Sequence, residues 1–214
     1  MTAQTRRCAW PSTHDDGGSV GGAVRFPSFV DALPITRDAL EYAAARHTGQ
    51  RRSGDHAPFI LHPLEVAHLL RGRDYPDEVV AAGVLHDVIE DAGASQDELA
   101  TRFGVRVAEL VGAVSEPSPE GSYRERKARL RDAVSQAQPD AVAIYAADKV
   151  AKLRELRIVI ATTRDYDRDQ DQLDHYWASL ELLEARDVAT PLVRQLRFEL
   201  EALAILPPDA TAGG

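Results

Sequence analysis

With 214 residues, 44% of them apolar and 28% charged, the chain can build one full hydrophobic core but not two large ones. Its net charge of −9 excludes a general nucleic-acid binder, which needs a basic surface, yet a small anionic ligand can still be held by local Arg and Lys clusters. The single cysteine, Cys8, excludes an internal disulfide, and no apolar run approaches the roughly 20 residues that cross a bilayer, so the expected setting is the cytoplasm, with no membrane partner.

Residues 1–30 are rich in Gly, Ser, Pro and Asp and lack an apolar leader core, which predicts a disordered tail and no signal peptide. Ile35, Ala39, Leu40, Ala43 and Ala44 then fall at helical spacing, with Thr36 as the candidate cap. Gly49 and the stretch Arg51–Pro58 read as a loop. Pro63 opens a short helix carrying Val66, Ala67, Leu69 and Leu70, and Gly72 closes it. A long helix is predicted from about Pro76, capped by Asp77 or its neighbour, running through His86-Asp87. Ser95-x-x-Glu98 reads as a capping box before the helix that holds Leu99 and Phe103, which Gly104 ends. Val105–Ser115 forms the next helix, and Pro117, Pro119 and Gly121 mark a loop. Tyr123–Ala137 is a strongly basic helix and Pro139–Thr163 a long one. Amphipathic helices over about Asp169–Ala185 and Thr190–Leu203 follow. With no strand pattern and no repeat, the expectation is an all-α fold: one domain over 31–206 and a flexible end at 207–214.

The segment His86-Asp87-Val88-Ile89-Glu90-Asp91 carries the chemistry. It places polar groups in and beyond the apolar stretch Val79–Leu85, where burial is costly unless something compensates. A divalent metal compensates imidazole and carboxylate together, and His62 and Asp148 stand elsewhere in the chain as further ligands. Asp148 is the only acidic residue in the apolar run Ala143–Val150. Such a mixed site suits Mn, Fe or Zn, lowers the pKa of a water and polarises a phosphoryl group, while Glu90 and Asp91 orient the water and move protons. The basic helix offers Arg124 and Lys127 to a cleft, and Lys149 and Lys152, at one and four positions from Asp148, join them. His47, His56, His68 and His175 read as structural or exposed. Tyr176, Trp177, Leu180 and Leu183 read as a packing stripe.

The separated His, then His-Asp, then Asp resembles the HD superfamily of metal-dependent phosphohydrolases. More narrowly, His47–Gly54, Phe59–Ala67, Ala82–Asp91, Phe103-Gly104 and Ala146–Lys149 resemble the hydrolase domain of the Rel/SpoT family and the stand-alone small alarmone hydrolases. The resemblance implies an HD-domain helical bundle that removes pyrophosphate from the 3′ position of (p)ppGpp. It implies metal ligands at His62, His86, Asp87 and Asp148, Mn²⁺ as the usual ion, a catalytic pair at Glu90 and Asp91, and nucleotide contact by Arg51 and Arg52. Full-length relatives carry a synthetase domain downstream, for which the residues after Leu203 leave no room.

Three positions depart from the family pattern. The family's Asp-Arg-x-x-Asn reads Asp148-Lys149-Val150-Ala151-Lys152, so an ammonium stands where an amide helps hold the nucleotide. Asp55-His56-Ala57 lengthens the loop beside Arg51, and Ala92 replaces a common Thr. Three readings stay open on the sequence: an alarmone hydrolase, a hydrolase of another nucleotide or phosphoester, and a non-catalytic nucleotide sensor. A homo-oligomer is equally open.

Overall fold

The computed structural model describes residues 26–163 and 170–205; most of the expected N-terminal tail and the expected flexible end lie outside them. A 3-10 turn at Ser28–Ala32 leads into α1 (Pro34–Arg46), α2 (Leu61–Arg71), α3 (Asp77–Leu85), α4 (Val88–Ala92), α5 (Gln96–Phe103), α6 (Val105–Val114), α7 (Tyr123–Gln136), α8 (Pro139–Thr163), α9 (Gln170–Arg186) and α10 (Thr190–Ile205). Among the described residues there is no strand, only an isolated bridge between Arg51 and Pro58, so the expected all-α class holds.

Helix α8 is the axis of the bundle: every residue from Ala141 to Val150 is buried, with α2, α3, α6, α7, α9 and α10 packed around it. A helix apolar on all sides is one with neighbours on all sides. Helix α3 is buried over Val79–Leu85 and lies against α1, α2, α6 and α8. Gly83 sets how closely α3 approaches α2, because a Cβ there would stand 2.4 Å from Leu70 Cδ1. That close approach brings the start of α2 to the end of α3.

Four local expectations need correction. The predicted single helix through the His-Asp pair is broken: α3 ends at Leu85, His86 and Asp87 form a turn, and α4 starts at Val88. Asp87 has φ −95° and ψ −6°, the sparsely populated bridge region in which many active-site residues sit. The turn lets two adjacent side chains face the same point, which a continuous helix would forbid.

Thr36 is not the cap of α1 but its third residue, and Asp77 does not cap its own helix, whose N-cap is Pro76. Instead Asp77 accepts hydrogen bonds from the amides of Ile35 at 3.0 Å and Thr36 at 2.9 Å and from Thr36 Oγ1 at 2.6 Å, capping α1 from across the fold. Pro34 has no amide to satisfy, so Asp77 serves the next two. Asp77→Ala is expected to cost about 1–3 kcal/mol, by loss of a cap and exposure of unmatched donors. A urea midpoint equal to the parent's would refute this role.

At Ser95 half of the predicted box forms: its hydroxyl accepts from Glu98 N at 3.1 Å, while the Glu98 carboxylate goes to Tyr42 Oη at 2.6 Å and to Arg46. The complete capping box lies at Ser122 and Glu125, at the start of α7.

Candidate metal centre and the adjoining pocket

Two hydrogen-bonded turns, Leu61 N to Pro58 O and His62 N to Phe59 O, start α2 and place His62 at its second position. The Phe59 ring packs against both His62 and His47. From the turn after α3 come His86 and Asp87, and from the buried middle of α8 comes Asp148. All four are buried.

His62 Nε2, His86 Nε2 and Asp148 Oδ1 form a near-equilateral triangle with sides of 3.2, 3.2 and 3.3 Å. Asp87 Oδ2 lies 3.1 Å from His86 Nε2 and 3.5 Å from His62 Nε2. Ligands about 2.1 Å from a common ion stand about 3 Å apart at right angles, the spacing found here. Asp87 Oδ2 and Asp148 Oδ1 are buried and receive no well-directed hydrogen bond, so each has a lone pair unused by the protein. His86 Nδ1 sits 2.8 Å from the Gly83 carbonyl, which can only accept; the proton is therefore on Nδ1, and Nε2 faces the centre.

Burial lowers the pKa of His62, opposing a charged imidazole. Burial acts the same way at His86, but the carboxylates of Asp87 and Asp148 outweigh it and raise that imidazole to about 10. Burial would raise the two carboxyls, yet both are held far below the usual range, Asp87 by His86 and Lys152 and Asp148 by Lys149 and Lys152. The centre thus attracts positive charge, and a bound cation would displace the proton of His86.

Lys149 Nζ is 2.6 Å from Asp148 Oδ2. Lys152 Nζ is 3.4 Å from Asp148 Oδ1 and 3.7 Å from Asp87 Oδ1. The ammonium that replaces the family Asn therefore lies beside the ligand carboxylates. A cavity of about 310 Å³ opens from here, lined by Arg51, Arg52, Phe59, His62, Lys152 and Gln172 among others. Arg52 is bound to Asp55 and lies 3.8 Å from Glu155, and Arg51 donates to the His56 carbonyl at 2.9 Å. The lengthened loop is thus closed on itself by its own arginines.

Glu90 and Asp91 sit on α4, exposed and outside that lining. Partial desolvation raises both carboxyls, aided at Asp91 by the charge of Asp87. Glu90 Oε1 accepts a 2.6 Å hydrogen bond from the Glu116 amide. Lys127 does face inward, 2.6 Å from Glu116 Oε1. Arg124 does not contribute: it is exposed and paired with Asp171 and Asp174.

The family model described as HD domain matches residues 39–180, a span containing every group of the centre. The chain belongs to the HD-domain family. Among curated relatives, a GTP pyrophosphokinase of Myxococcus xanthus is 32% identical over 181 residues, covering 80% of this chain but 22% of the relative. The chain thus spans about a fifth of the length of the longer relatives it matches. The guanosine-3′,5′-bis(diphosphate) 3′-pyrophosphohydrolase MESH1 of Mus musculus is 31% identical over 145 residues, which are 66% of this chain and 79% of that protein. A solved metazoan ortholog of SpoT, described as hydrolysing ppGpp, superposes with a TM-score of 0.72 at 26% identity, covering 86% of this chain and all of that one. An HD domain carries a divalent metal, and the two orphaned carboxylate oxygens beside two imidazoles fit one.

Sequence reasoning missed several residues of this HD site. Gln172 borders the large cavity, and Tyr123 and Tyr176 border a smaller one beside it. Glu116 bridges Glu90 and Lys127. His175, expected to be structural or exposed, is 4% exposed and borders the smaller cavity. Its one signal in the sequence was a histidine next to Tyr176 on the packing face of α9.

Proposed function

We propose that this chain is a manganese-dependent phosphohydrolase that acts on (p)ppGpp and releases the 3′ pyrophosphate, working as a single HD unit over residues 31–206 in the cytoplasm. What carries the reading is the pair of buried, unmatched oxygens Asp87 Oδ2 and Asp148 Oδ1, 3.1–3.5 Å from two imidazole nitrogens at the wall of an open cavity. The names of the relatives and of the solved neighbour supply the substrate.

In this reading His62, His86, Asp87 and Asp148 hold the ion, which when bound supplies positive charge for a phosphoryl oxygen and activates water. Glu90 and Asp91, with carboxyls raised by desolvation, accept the proton of the attacking water. The Glu116 amide fixes one Glu90 oxygen and leaves the other to face water. Water adds to the phosphorus carried by the ribose 3′ oxygen as the bond between them breaks, and the proton taken up by the carboxylate passes to that oxygen, leaving a 3′ hydroxyl and free pyrophosphate. Arg51 and Arg52 border the cavity for the nucleoside, while Lys127, Lys149 and Lys152 supply charge for phosphates.

A second reading keeps the chemistry and changes the nucleotide. It rests on Lys152, which is 31% exposed beside the carboxylates and offers only donors where an amide offers both a donor and an acceptor. One experiment separates the two. Purified protein is given ppGpp and a panel of other nucleotides, with and without Mn²⁺, and pyrophosphate and phosphate release are followed. Mn²⁺-dependent release of pyrophosphate and GDP from ppGpp is the expected result. No turnover of ppGpp with turnover of another nucleotide would overturn the substrate and retain the metal site.

A further inference from the structure

The loop over residues 50–59, between α1 and α2, is a small hairpin. Arg52 N donates to Ala57 O at 2.9 Å and Phe59 N to Gln50 O at 3.0 Å, which leaves residues 53–56 as its tip. The Asp55 carboxylate is the hub of that tip. One of its oxygens accepts from Arg52 Nε at 3.0 Å and the other from a second nitrogen of the same guanidinium, a two-pronged pairing. It also accepts from the Ala57 amide at 3.0 Å. The hydrogen bonds from Arg52 lower the Asp55 carboxyl to about 2, so it stays charged.

On its other side Arg52 meets α8. Glu155 Oε2 lies 3.8 Å from Arg52 Nε, and Glu155 Oε1 accepts from the Gly54 amide at 3.3 Å. Gly54 allows the loop to come this close, because a Cβ there would stand 2.3 Å from Val159 Cγ2. The Arg52 side chain is 12% exposed and lies between two carboxylates. Its charge is matched before any ligand arrives, and an incoming phosphate would have to displace Asp55 from it.

Arg51 is placed differently. It is exposed and borders the cavity, and its guanidinium donates to the His56 carbonyl at 2.9 Å. His56 has φ +57°, a left-handed conformation that a residue with a Cβ keeps only where its surroundings hold it. The residues on either side of it, Asp55 and Ala57, are the two joined by the Asp55 carboxylate. Arg52 therefore holds, through Asp55, the backbone on which Arg51 is seated.

We propose that Arg52 is a positioning residue and not a ligand contact: with Asp55 and Glu155 it clasps the lengthened loop to α8, so that Arg51 is presented ready-made to the cavity. The resemblance implied nucleotide contact by both arginines. Asp55 belongs to the stretch that departs from the family pattern, and it divides the two roles between them. That Arg51 meets a nucleotide rests on the function proposed above; the clasp does not.

The two roles of Arg52 give opposite signs. Were it a contact restrained by Asp55, Asp55→Ala would free it and lower KM. As a clasp, Asp55→Ala and Arg52→Ala should each raise KM for ppGpp about 3–10-fold, because the ligand must then order the loop and Arg51 itself. Metal content and kcat should stay near the parent's. The double variant should raise KM no further than either single one, since both remove the same clasp. Arg52→Lys keeps the charge and loses the fork, so it should resemble Arg52→Ala, and it keeps the test open if the Ala variant fails to fold. A lower KM in Asp55→Ala, additive effects in the double variant, or an unchanged KM in either single variant would overturn the proposal.

Hydrogen exchange at the Gly54 and Phe59 amides reads the clasp without turnover, since neither amide bonds to Asp55 or Arg52. Both should exchange at least about tenfold faster in each single variant. Protection equal to the parent's would overturn the clasp whatever the substrate. If ppGpp is not turned over while both amides lose protection, the substrate assignment fails and the clasp stands.

Discussion

Asp148→Asn protein is expected to pass through gel filtration without its divalent metal and to show no measurable phosphohydrolase activity. Removing a partner that only orients a ligand costs about 10–100-fold in metal affinity, and loss of a ligand itself costs more. Asn keeps the volume of Asp but carries no charge at a centre where two imidazoles and one other carboxylate must then hold the ion. The substitution also leaves Lys149 and Lys152 beside Asp87 alone, and breaking a buried pair typically costs about 3–5 kcal/mol. Metal content is therefore to be read on protein whose helical signal matches the parent's. Metal retained at one equivalent per chain in folded Asp148→Asn protein would remove Asp148 from the ligand set.

Glu90→Gln is expected to lower kcat by about 10²–10⁴ with metal content unchanged. The two halves of this result separate a proton acceptor from a ligand: loss of metal would mean that Glu90 belongs to the centre. The amide can still accept from Glu116 N, so the local backbone should persist. The sign of the pH effect follows from the environment. Desolvation raises the Glu90 carboxyl above the ordinary glutamate range, and in the proposed role the working form is the carboxylate. Activity should therefore fall as pH drops through that raised value, at a higher pH than an ordinary glutamate would give, and the Gln variant should lose this acid limb. An acid limb that persists in Glu90→Gln would assign it to Asp91 or to the centre.

The helices and the four groups of the centre were legible in the chain because their signals are local. His62 before a proline, His86-Asp87 inside an apolar run and Asp148 alone among apolar residues each stand out against their neighbours. The turn at His86-Asp87 was not legible, since His86 keeps helical angles and the departure is confined to φ and ψ of the single residue Asp87. Nor was the service of Asp77 to α1, which joins residues 41 and 42 positions apart. The same distance in sequence hid the pairing of Glu98 with Tyr42 and Arg46, and with it the half-made capping box. Arg124 and Lys127 looked equivalent in the basic helix. They differ because Asp171 and Asp174 on α9 take the first and Glu116 holds the second inward. His175 read as structural or exposed because Arg131, which its Nδ1 meets, is 44 positions away.

Lys149 and Lys152 have a consequence for the order of events in the life of the molecule. Small domains built on a structural zinc ion stay unfolded until it arrives, because their ligand charges have no other counterion. Here the counterions are covalently part of the chain, one and four residues beyond Asp148 on the same helix. The bundle can therefore close first and be metallated afterwards, through the open cavity at His62. A cell short of the divalent ion would then hold a folded, idle protein that revives when the ion returns, and would not have to synthesise it again.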